Sequence, residues 1–255
     1  MSALVSVIMP AYNAELHIFE AVHSVLNQTH SNLELIVLDD GSTDNTLKIL
    51  QSINDSRLIL HKNKENQGIV KTLNKAVMLS SGLYIARMDA DDVSSPDRLE
   101  KQLKFLLEND LDIVSAVVRK FNDNYSRNFP FEMNSKEIIY ALAYFNPIVH
   151  PCAFGYSEIF KKFPYKEEFK WAEDYKLWCD LSVAQFKFGI QKDVLLNYRL
   201  HPSQVSVKNK KIQLVLDAKI KREYQSSRIL NINNVSMKVW FYCQLKRLQI
   251  YLKKF

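Results

Sequence analysis

The sequence predicts an α/β fold: a mostly parallel, Rossmann-like sheet with helices on both faces and a helical C-terminal tail. Short apolar runs alternate with amphipathic segments over residues 1–118, which is typical of parallel strands joined by crossover helices. Acidic residues directly follow two of the apolar runs. Ligands of such sheets lie beyond the carboxyl ends of the strands, so these acidic residues mark the predicted site.

The first elements follow in order from the apolar spacing. Residues 5–9 predict a buried strand that Pro10 ends, and apolar side chains then recur at helical spacing between residues 16 and 26. A second strand at 33–38 leads into a helix that Ser42 or Thr43 can cap. The same patterns continue with strands at 57–61, 83–86 and 112–118 and helices at 69–77 and 96–107.

The composition narrows the class of protein. With 255 residues and 47% hydrophobic residues, the chain can bury a substantial core. Its three cysteines are scattered without a C-x-x-C pair, which argues against a disulfide framework or structural zinc and favours a reducing compartment. The N-terminus lacks a basic region and cleavage site, so we predict no signal peptide. We therefore expect a cytoplasmic protein.

The segment Met88-Asp89-Ala90-Asp91-Asp92 is the strongest chemical signal. It directly follows the apolar strand at 83–86, and alternate side chains of an extended segment point the same way. Hard carboxylate oxygens suit Mg²⁺ or Mn²⁺. The pattern therefore predicts a divalent cation held against a diphosphate, as in a nucleotide-sugar enzyme.

With this segment in place, the chain resembles the family 2 glycosyltransferases of the GT-A fold, in particular those of bacterial O-antigen and capsule assembly. The resemblance covers residues 3–206. It rests on six motifs in the family's order, which are Val5-Ser6-Val7-Ile8-Met9-Pro10-Ala11-Tyr12-Asn13, Leu38-Asp39-Asp40-Gly41-Ser42-Thr43-Asp44, Asn66-Gln67-Gly68, Ala86-Arg87-Met88-Asp89-Ala90-Asp91-Asp92, Glu173-Asp174 and Tyr198-Arg199-x-His201.

The resemblance implies a UDP-sugar site at the ends of the first strands. Asp39 would accept a hydrogen bond from the uracil N3–H. Alternatively, Asp39 to Thr43 can be a turn with a helix cap. The other nucleotide-sugar residues it implies are Pro10, Ala11, Tyr12, Arg87, Asp89, Ala90 and Asp91. Tyr12 would pack on uracil or serve as a plain packing aromatic, and Arg87 would contact the diphosphate or be a surface arginine.

The resemblance also implies the metal and the base. Asp91 would bind Mn²⁺ or Mg²⁺ directly, Asp89 would orient ribose or metal-bound water, and His201 would complete the site. Asp174 would be the catalytic base of a one-step, inverting transfer and Glu173 its support, although both residues can simply favour a helix N-terminus. An α-linked UDP-hexose, glucose or galactose, would then give a β-linkage.

The acceptor region is the least determined. The sequence pattern becomes less regular from residue 121 to residue 207, and we assign this region to acceptor binding. The predicted domain, residues 1–207, thus has a nucleotide-sugar half, 1–118, and an acceptor half, 119–207. Asp92, His150, Trp171 and Trp178 are candidate acceptor-pocket residues. An undecaprenyl-diphosphate-linked sugar of O-antigen or capsule biosynthesis is the acceptor that resemblance to short family members suggests.

The tail, residues 208–255, carries 12 Lys/Arg and 2 Asp/Glu, against a net charge of +6 for the whole chain. From residue 237 onward, apolar and aromatic residues interleave with lysine and arginine as in a basic amphipathic helix. Such a helix can lie on an anionic membrane, here the inner face of the inner membrane, or pack its apolar face on the domain. No nucleic-acid motif is present.

Two alternatives come from other classes: a non-catalytic sugar-nucleotide-binding protein and a nucleotidyltransferase. Nucleotidyltransferases usually carry a glycine-rich loop near the N-terminus, and here residues 10–13 contain no glycine. An inactive binder is expected to lack Asp91 or Asp174, and both are present. A processive synthase would need a Q-x-x-R-W motif, which the sequence lacks.

Overall fold

The computed structural model describes residues 3–122, 125–202, 204–227 and 235–252, with the side chains of all these residues except 205, 206 and 247–252. Its strands are β1 Val5–Ala11, β2 Leu33–Asp39, β3 Leu58–Lys62, β4 Tyr84–Arg87, β5 Val93–Ser94, β6 Ile113–Asn122, β7 Tyr125–Phe129, β8 Phe154–Tyr156 and β9 Phe188–Arg199. Its α-helices are α1 Ile18–Leu26, α2 Thr46–Gln51, α3 Ile69–Leu79, α4 Arg98–Glu108, α5 Ser135–Ala141, α6 Ser157–Lys162, α7 Glu173–Val183, α8 Val205–Lys208, α9 Lys210–Ser227 and α10 Met237–Leu252.

One sheet runs through the molecule in the order β3-β2-β1-β4-β8-β6-β9-β5, and β7 pairs with β6. The pairings among β1, β2, β3 and β4 are all parallel. The second half is mixed, because β8 is antiparallel to both β4 and β6 whereas β6 and β9 are parallel. The predicted parallel sheet is therefore the first half, and its strands β1, β2 and β4 end at the same edge.

Alternation along β1 explains why the first strands are apolar throughout. Val5, Val7 and Met9 pack on one face with residues of α1, whereas Ile8 packs on the other face with residues of α3. Since helices cover both faces, successive side chains of a central strand are all buried, and the strand is a continuous apolar run. The predicted helices on both faces are confirmed.

The second half is more ordered than its sequence pattern indicates. The sequence pattern is less regular over residues 121–207, yet these residues contain three strands, including the 12-residue strand β9, and helices α5, α6 and α7. The pattern hides them because β8 has three residues and β9 alternates between buried and half-exposed stretches. Periodicity is weak in both cases.

The described part of the tail packs on the second half. In α9, Ile220 and Tyr224 are buried, and the Tyr224 hydroxyl lies 2.7 Å from Ser182 Oγ of α7. In α10, Val239 and Cys243 are buried. The end of the predicted basic helix, residues 253–255, lies outside the described residues. None of the helices in the described ranges is long and apolar enough to cross a membrane.

All three cysteines, Cys152, Cys179 and Cys243, are free and buried. Their thiols therefore serve as small apolar side chains of the core. This agrees with the prediction that the chain has no disulfide framework.

Candidate active site

The ends of β1 and β2 form the predicted base pocket. Ala11, the last residue of β1, pairs in register with Asp39, the last residue of β2. Pro10 and Ala11 are buried, and the side chain of Tyr12, which follows directly, is 48% exposed. An exposed ring beside a buried strand end is available to stack on a planar ligand.

Asp39 has an unused acceptor. It is 0% exposed, and its Oδ1 accepts a hydrogen bond from the Ser42 backbone N–H at 3.3 Å. Its Oδ2 is buried and has no hydrogen-bond partner among the described residues. A buried carboxylate oxygen without a donor is costly, so this atom is suited to accept a hydrogen bond from a bound ligand.

Asp40, by contrast, is fully engaged within the protein. Its Oδ1 accepts from Asn63 Nδ2 at 2.8 Å and from the Gln67 backbone N–H at 2.9 Å. Its Oδ2 accepts from the Gly68 backbone N–H at 2.9 Å. These bonds hold the segment that joins β3 to α3 against the end of β2, so the turn interpretation accounts for Asp40.

The acidic cluster follows β4. Ligand atoms of Asp89, Asp91 and Asp92 all lie within 4.8 Å of one another. Arg87 Nη1 lies 2.5 Å from Asp89 Oδ2. The buried Arg98 of α4 donates from Nη2 to the Arg87 carbonyl at 2.7 Å, which fixes the strand end that carries the cluster.

The end of β9 and the residues after it contact this cluster. His201 Nε2 lies 2.8 Å from Asp91 Oδ2, so the structure brings together two of the predicted metal ligands. Arg199 donates its backbone N–H to Asp92 Oδ1 and its Nε–H to the Asp91 carbonyl, each at 2.9 Å. These contacts join residues more than 100 positions apart in the chain.

The cluster suits a divalent cation. Burial raises the pKa of Asp89, although Arg87 opposes the rise. Burial raises the pKa of Asp92 well above its ordinary value, and the charges of Asp89 and Asp91 raise it further. Asp92 Oδ2 is also buried without a hydrogen-bond partner among the described residues. Crowded carboxylates with an unused oxygen fit a hard cation such as Mg²⁺ or Mn²⁺.

The predicted base lies at the start of α7. Asp174 Oδ2 accepts from Asn146 Nδ2 at 2.8 Å, and Glu173 Oε2 accepts from the Trp171 backbone N–H at 2.7 Å. Burial, together with the charge of Asp174, raises the pKa of Glu173 to about 7. Burial also raises the pKa of Asp174. A carboxylate that holds its proton more tightly than usual is a better general base near neutral pH.

Arg87 connects the two acidic groups. It is only 4% exposed, so the alternative of a surface arginine is wrong. Its positive charge opposes the burial-driven rise in the pKa of Asp89, of Glu173 and of Asp174. Its Nε has no hydrogen-bond partner among the described residues. The charge of one buried guanidinium therefore acts on both the acidic cluster and the predicted base.

Two predicted acceptor-pocket residues, Trp178 and His150, are buried. Trp178 is 0% exposed and packs edge-on against Phe160 and His150, so it cannot contact an acceptor and the prediction for it is wrong. His150 is buried, with Nε2 2.8 Å from the Tyr165 hydroxyl. Trp171 is half-buried beside Lys170, whose Nζ lies 4.6 Å from its ring centre, and stays a candidate.

Sequence reasoning missed several residues around the base. Asn146 orients Asp174, and Asp217 of α9 adds a third carboxylate, since the charge of Asp174 contributes to a pKa that burial raises to about 6. Asn146 lies in a stretch without charged side chains, and Asp217 lies in a basic segment. No local pattern singles out either residue, because tertiary packing alone brings them to the site.

A family model for "Glycosyl transferase family 2" matches residues 6–168. An uncharacterized glycosyltransferase of Haemophilus influenzae is 35% identical over 86% of this chain and 72% of its own length. The Escherichia coli protein WfgD, a UDP-Glc:alpha-D-GlcNAc-diphosphoundecaprenol beta-1,3-glucosyltransferase, is 31% identical over 80% of this chain and 79% of its own length.

Solved structures have the same fold. S. aureus TarS 1-349 in complex with UDP superposes with a TM-score of 0.68, at 22% identity over 88% of this chain and 69% of that one. The mannosyltransferase PcManGT from Pyrobaculum calidifontis, in complex with GDP-Man and Mn²⁺, gives a TM-score of 0.66 at 22% identity, over 86% of this chain and 64% of that one.

Proposed function

Because the chain belongs to glycosyl transferase family 2 and has the GT-A fold, we propose that it transfers a hexose, glucose or galactose, from a UDP-sugar to a glycan acceptor with inversion. The observation that carries the proposal is the buried Arg87, which pairs with Asp89 of the acidic cluster at 2.5 Å and whose charge also acts on Glu173 and Asp174. One buried charge thus links the proposed donor-site residues to the proposed base.

The base pocket accounts for a uridine donor. Asp39 Oδ2, which has no partner among the described residues, accepts the uracil N3–H, and the exposed ring of Tyr12 stacks on the base. Neutral cytosine has no N–H at that position, so it would leave the carboxylate oxygen buried and unpaired. Pro10 and Ala11 form the wall of this pocket.

The acidic cluster would hold the metal. Asp91 and Asp89, with His201, provide oxygen and imidazole ligands of the kind that Mn²⁺ or Mg²⁺ accepts. A cation bound there supplies positive charge that stabilises the leaving diphosphate. The backbone of the cluster is fixed by Arg199 and Arg98, so the ligands need little rearrangement on binding. The Mn²⁺ bound to PcManGT supports manganese as the first ion to test.

The base performs the chemical step. Asp174 takes the proton of the acceptor hydroxyl on a carboxylate oxygen while the hydroxyl oxygen attacks the anomeric carbon and the diphosphate leaves from the opposite side. One displacement inverts the configuration, so an α-linked donor gives a β-linkage. Asn146 orients Asp174, and Glu173 holds the Trp171 turn that precedes it.

The acceptor that we propose is an undecaprenyl-diphosphate-linked sugar of O-antigen or capsule biosynthesis. The activity in the name of WfgD supports this class. A lipid-linked acceptor places the enzyme at the inner face of the inner membrane. The exposed apolar residues of α10, Met237, Phe241 and Leu245, recur every four positions opposite its buried Val239 and Cys243, so one face packs on the domain while the other can lie on lipid.

The membrane contact is best tested on that outer face. A Trp240→Ser/Phe241→Ser variant should lose binding to phosphatidylglycerol vesicles while UDP binding is kept, and a Leu107→Ser variant, changed at an exposed apolar residue of α4, should bind vesicles like the wild type. Deleting the tail is a poorer test because α9 buries Ile220 and Tyr224 against the domain. Equal vesicle binding by all three proteins would exclude a membrane role for α10.

The activity is tested by UDP release with a panel of UDP-sugars, with and without Mn²⁺, on a synthetic GlcNAc- or GalNAc-diphosphate-lipid acceptor. Release that requires one donor, the acceptor and the metal supports the proposal and identifies the sugar. UDP binding without release for any donor would mean that the acceptor is wrong. No UDP binding at all would refute the donor assignment.

A further inference from the structure

Four basic side chains from four elements are linked by electrostatic interactions, and the charge of Asp92 in the acidic cluster acts on one of them, Lys120. They are Lys120 of β6, Arg127 of β7, Lys221 of α9 and Lys246 of α10, and we call them the basic cluster. Lys120 and Arg127 are directly opposite each other in the antiparallel pair of β6 and β7. Like charges in that position repel and destabilise a sheet, so their pairing calls for a compensating anion.

Lys120 is held in a fixed position. Its Nζ lies 4.5 Å from the ring centre of Phe129 and 5.4 Å from that of Tyr198. Burial lowers the pKa of Lys120, and the charges of Lys246 and Arg127 lower it further. The faces of two aromatic rings stabilise a cation only in part, so Lys120 retains unused capacity to bind an anion.

The other two lysines lie on the tail helices α9 and α10. Lys221 Nζ lies 6.0 Å from the ring centre of Tyr175, and Lys246 Nζ lies 5.4 Å from that of Tyr242. Burial lowers the pKa of Lys221; the charge of Lys246 adds to this effect and that of Asp217 opposes it. The charge of Lys246 therefore acts on both Lys120 and Lys221.

Among the described residues, no carboxylate pairs directly with the basic cluster. None of its four side chains forms an ion pair within 4.0 Å or a hydrogen bond there. The charge of Asp92 acts on Lys120, and that of Asp217 acts on Lys221. Asp92 belongs to the acidic cluster, and the charge of Asp174 acts on Asp217. The basic cluster is therefore linked electrostatically to both acidic groups of the site.

We propose that the basic cluster binds the diphosphate of the lipid-linked acceptor, an inference that rests on the function proposed above. The arrangement follows the order of groups in such a molecule. The acceptor sugar reaches Asp174, the diphosphate lies among Lys120, Arg127, Lys221 and Lys246, and the lipid continues along the exposed face of α10, where Leu245 precedes Lys246. Lysine and arginine are the usual partners of phosphate oxygens.

The test compares two acceptors in detergent solution without phospholipid. One carries GlcNAc on a diphosphate-lipid, and the other carries GlcNAc on an uncharged alkyl chain of the same length. The wild type should have a KM at least about tenfold lower for the diphosphate acceptor, since charge-assisted hydrogen bonds of this kind are each worth that factor or more. Lys120→Met and Lys246→Met should each reduce this ratio, and the double variant should bring it near one.

Three controls accompany the comparison. UDP affinity should be unchanged in every variant, Lys120→Arg should keep most of the ratio, and Lys104→Met, at an exposed residue of α4, should keep all of it. Variants that retain the wild-type ratio would overturn the inference while leaving the proposed function intact. If the variants lose only binding to phosphatidylglycerol vesicles, the cluster serves membrane headgroups and the inference is wrong. A wild type that uses neither acceptor refutes the proposed acceptor class and the inference with it.

Discussion

Asp39 and Asp40 are neighbours in the sequence, and we predict opposite effects when each is changed to asparagine. Asp39 is buried with an oxygen that no described residue uses, whereas Asp40 accepts three hydrogen bonds. Asp39→Asn should therefore weaken UDP binding without lowering stability. The main effect of Asp40→Asn should be a loss of stability.

The magnitude for Asp40→Asn follows from its geometry. The amide oxygen of the new side chain can replace Oδ1, which accepts from Asn63 and Gln67, but its NH₂ group then faces the buried Gly68 N–H, donor against donor. The loss of one buried hydrogen bond to a charged group costs about 1.5–3 kcal/mol. For a chain of this size that lowers the unfolding midpoint by about 3–12 °C.

The magnitude for Asp39→Asn appears in binding. In Asp39 the Ser42 N–H uses Oδ1, whereas the uracil N3–H would use Oδ2. The amide of asparagine can place its oxygen at only one of these two positions and its NH₂ group occupies the other, so one bond is lost when UDP binds. A loss of about 1.5–3 kcal/mol raises the Kd for UDP by about 10- to 150-fold. Stability should not fall, because the removed charge is buried without a full set of donors.

Thermal unfolding followed by circular dichroism and UDP titration calorimetry with Mn²⁺ measure the two effects. The reasoning is refuted if Asp39→Asn unfolds at as low a temperature as Asp40→Asn, or if Asp39→Asn binds UDP as tightly as the wild type. Asp55→Ala serves as the control that removes one carboxylate elsewhere, because Asp55 precedes β3 and lies away from the carboxyl ends of the strands. The UDP affinity of this variant should equal that of the wild type.

Three further predictions concern other parts of the site. Asp174→Asn should lower kcat by about 10²–10⁴-fold with UDP affinity kept; steady-state kinetics with normal turnover would show that the base is another residue. Glu173 holds its proton more tightly in the folded than in the unfolded chain, so it makes stability fall as pH rises from about 4.5 to about 7. The free energy of unfolding of Glu173→Gln, measured in urea relative to that of the wild type, should therefore rise by up to ~3 kcal/mol from pH 5 to pH 8. The same relative stability at both pH values would contradict this. Gly41 has φ +75, and a Cβ there would lie 2.7 Å from the Glu65 carbonyl carbon, so Gly41→Ala should destabilise the protein by about 1–3 kcal/mol in the same assay, whereas Ala at the exposed Lys64 should not.

The first half of the fold was predictable because its signals are local. A continuous apolar run followed directly by Asp39, or within three residues by Asp89, identifies both a buried strand and the strand end where a site is expected. This pattern can be recognised in a single sequence because the strand and the residue after it are neighbours in the chain. The structure confirms both strands and their common edge.

The second half was less predictable because its contacts are distant. The brace from Arg199 to Asp92 joins residues 107 positions apart, and no local spacing indicates it. The error at Trp178 has a similar origin. Trp178 and Asp174 are four positions apart and share a face of α7, but Trp178 is fully buried in the core, so one helical turn separates the proposed base from a ring that no ligand reaches.

The buried charge of Arg87 links the two acidic groups of the site. Its guanidinium acts on Asp89 and on Asp174 together, so the proton affinity of the proposed base and the charge beside Asp89 are thermodynamically linked. A cation bound beside Asp89 would therefore favour loss of the proton from Asp174. By reciprocity, ionisation of Asp174 would favour cation binding beside Asp89.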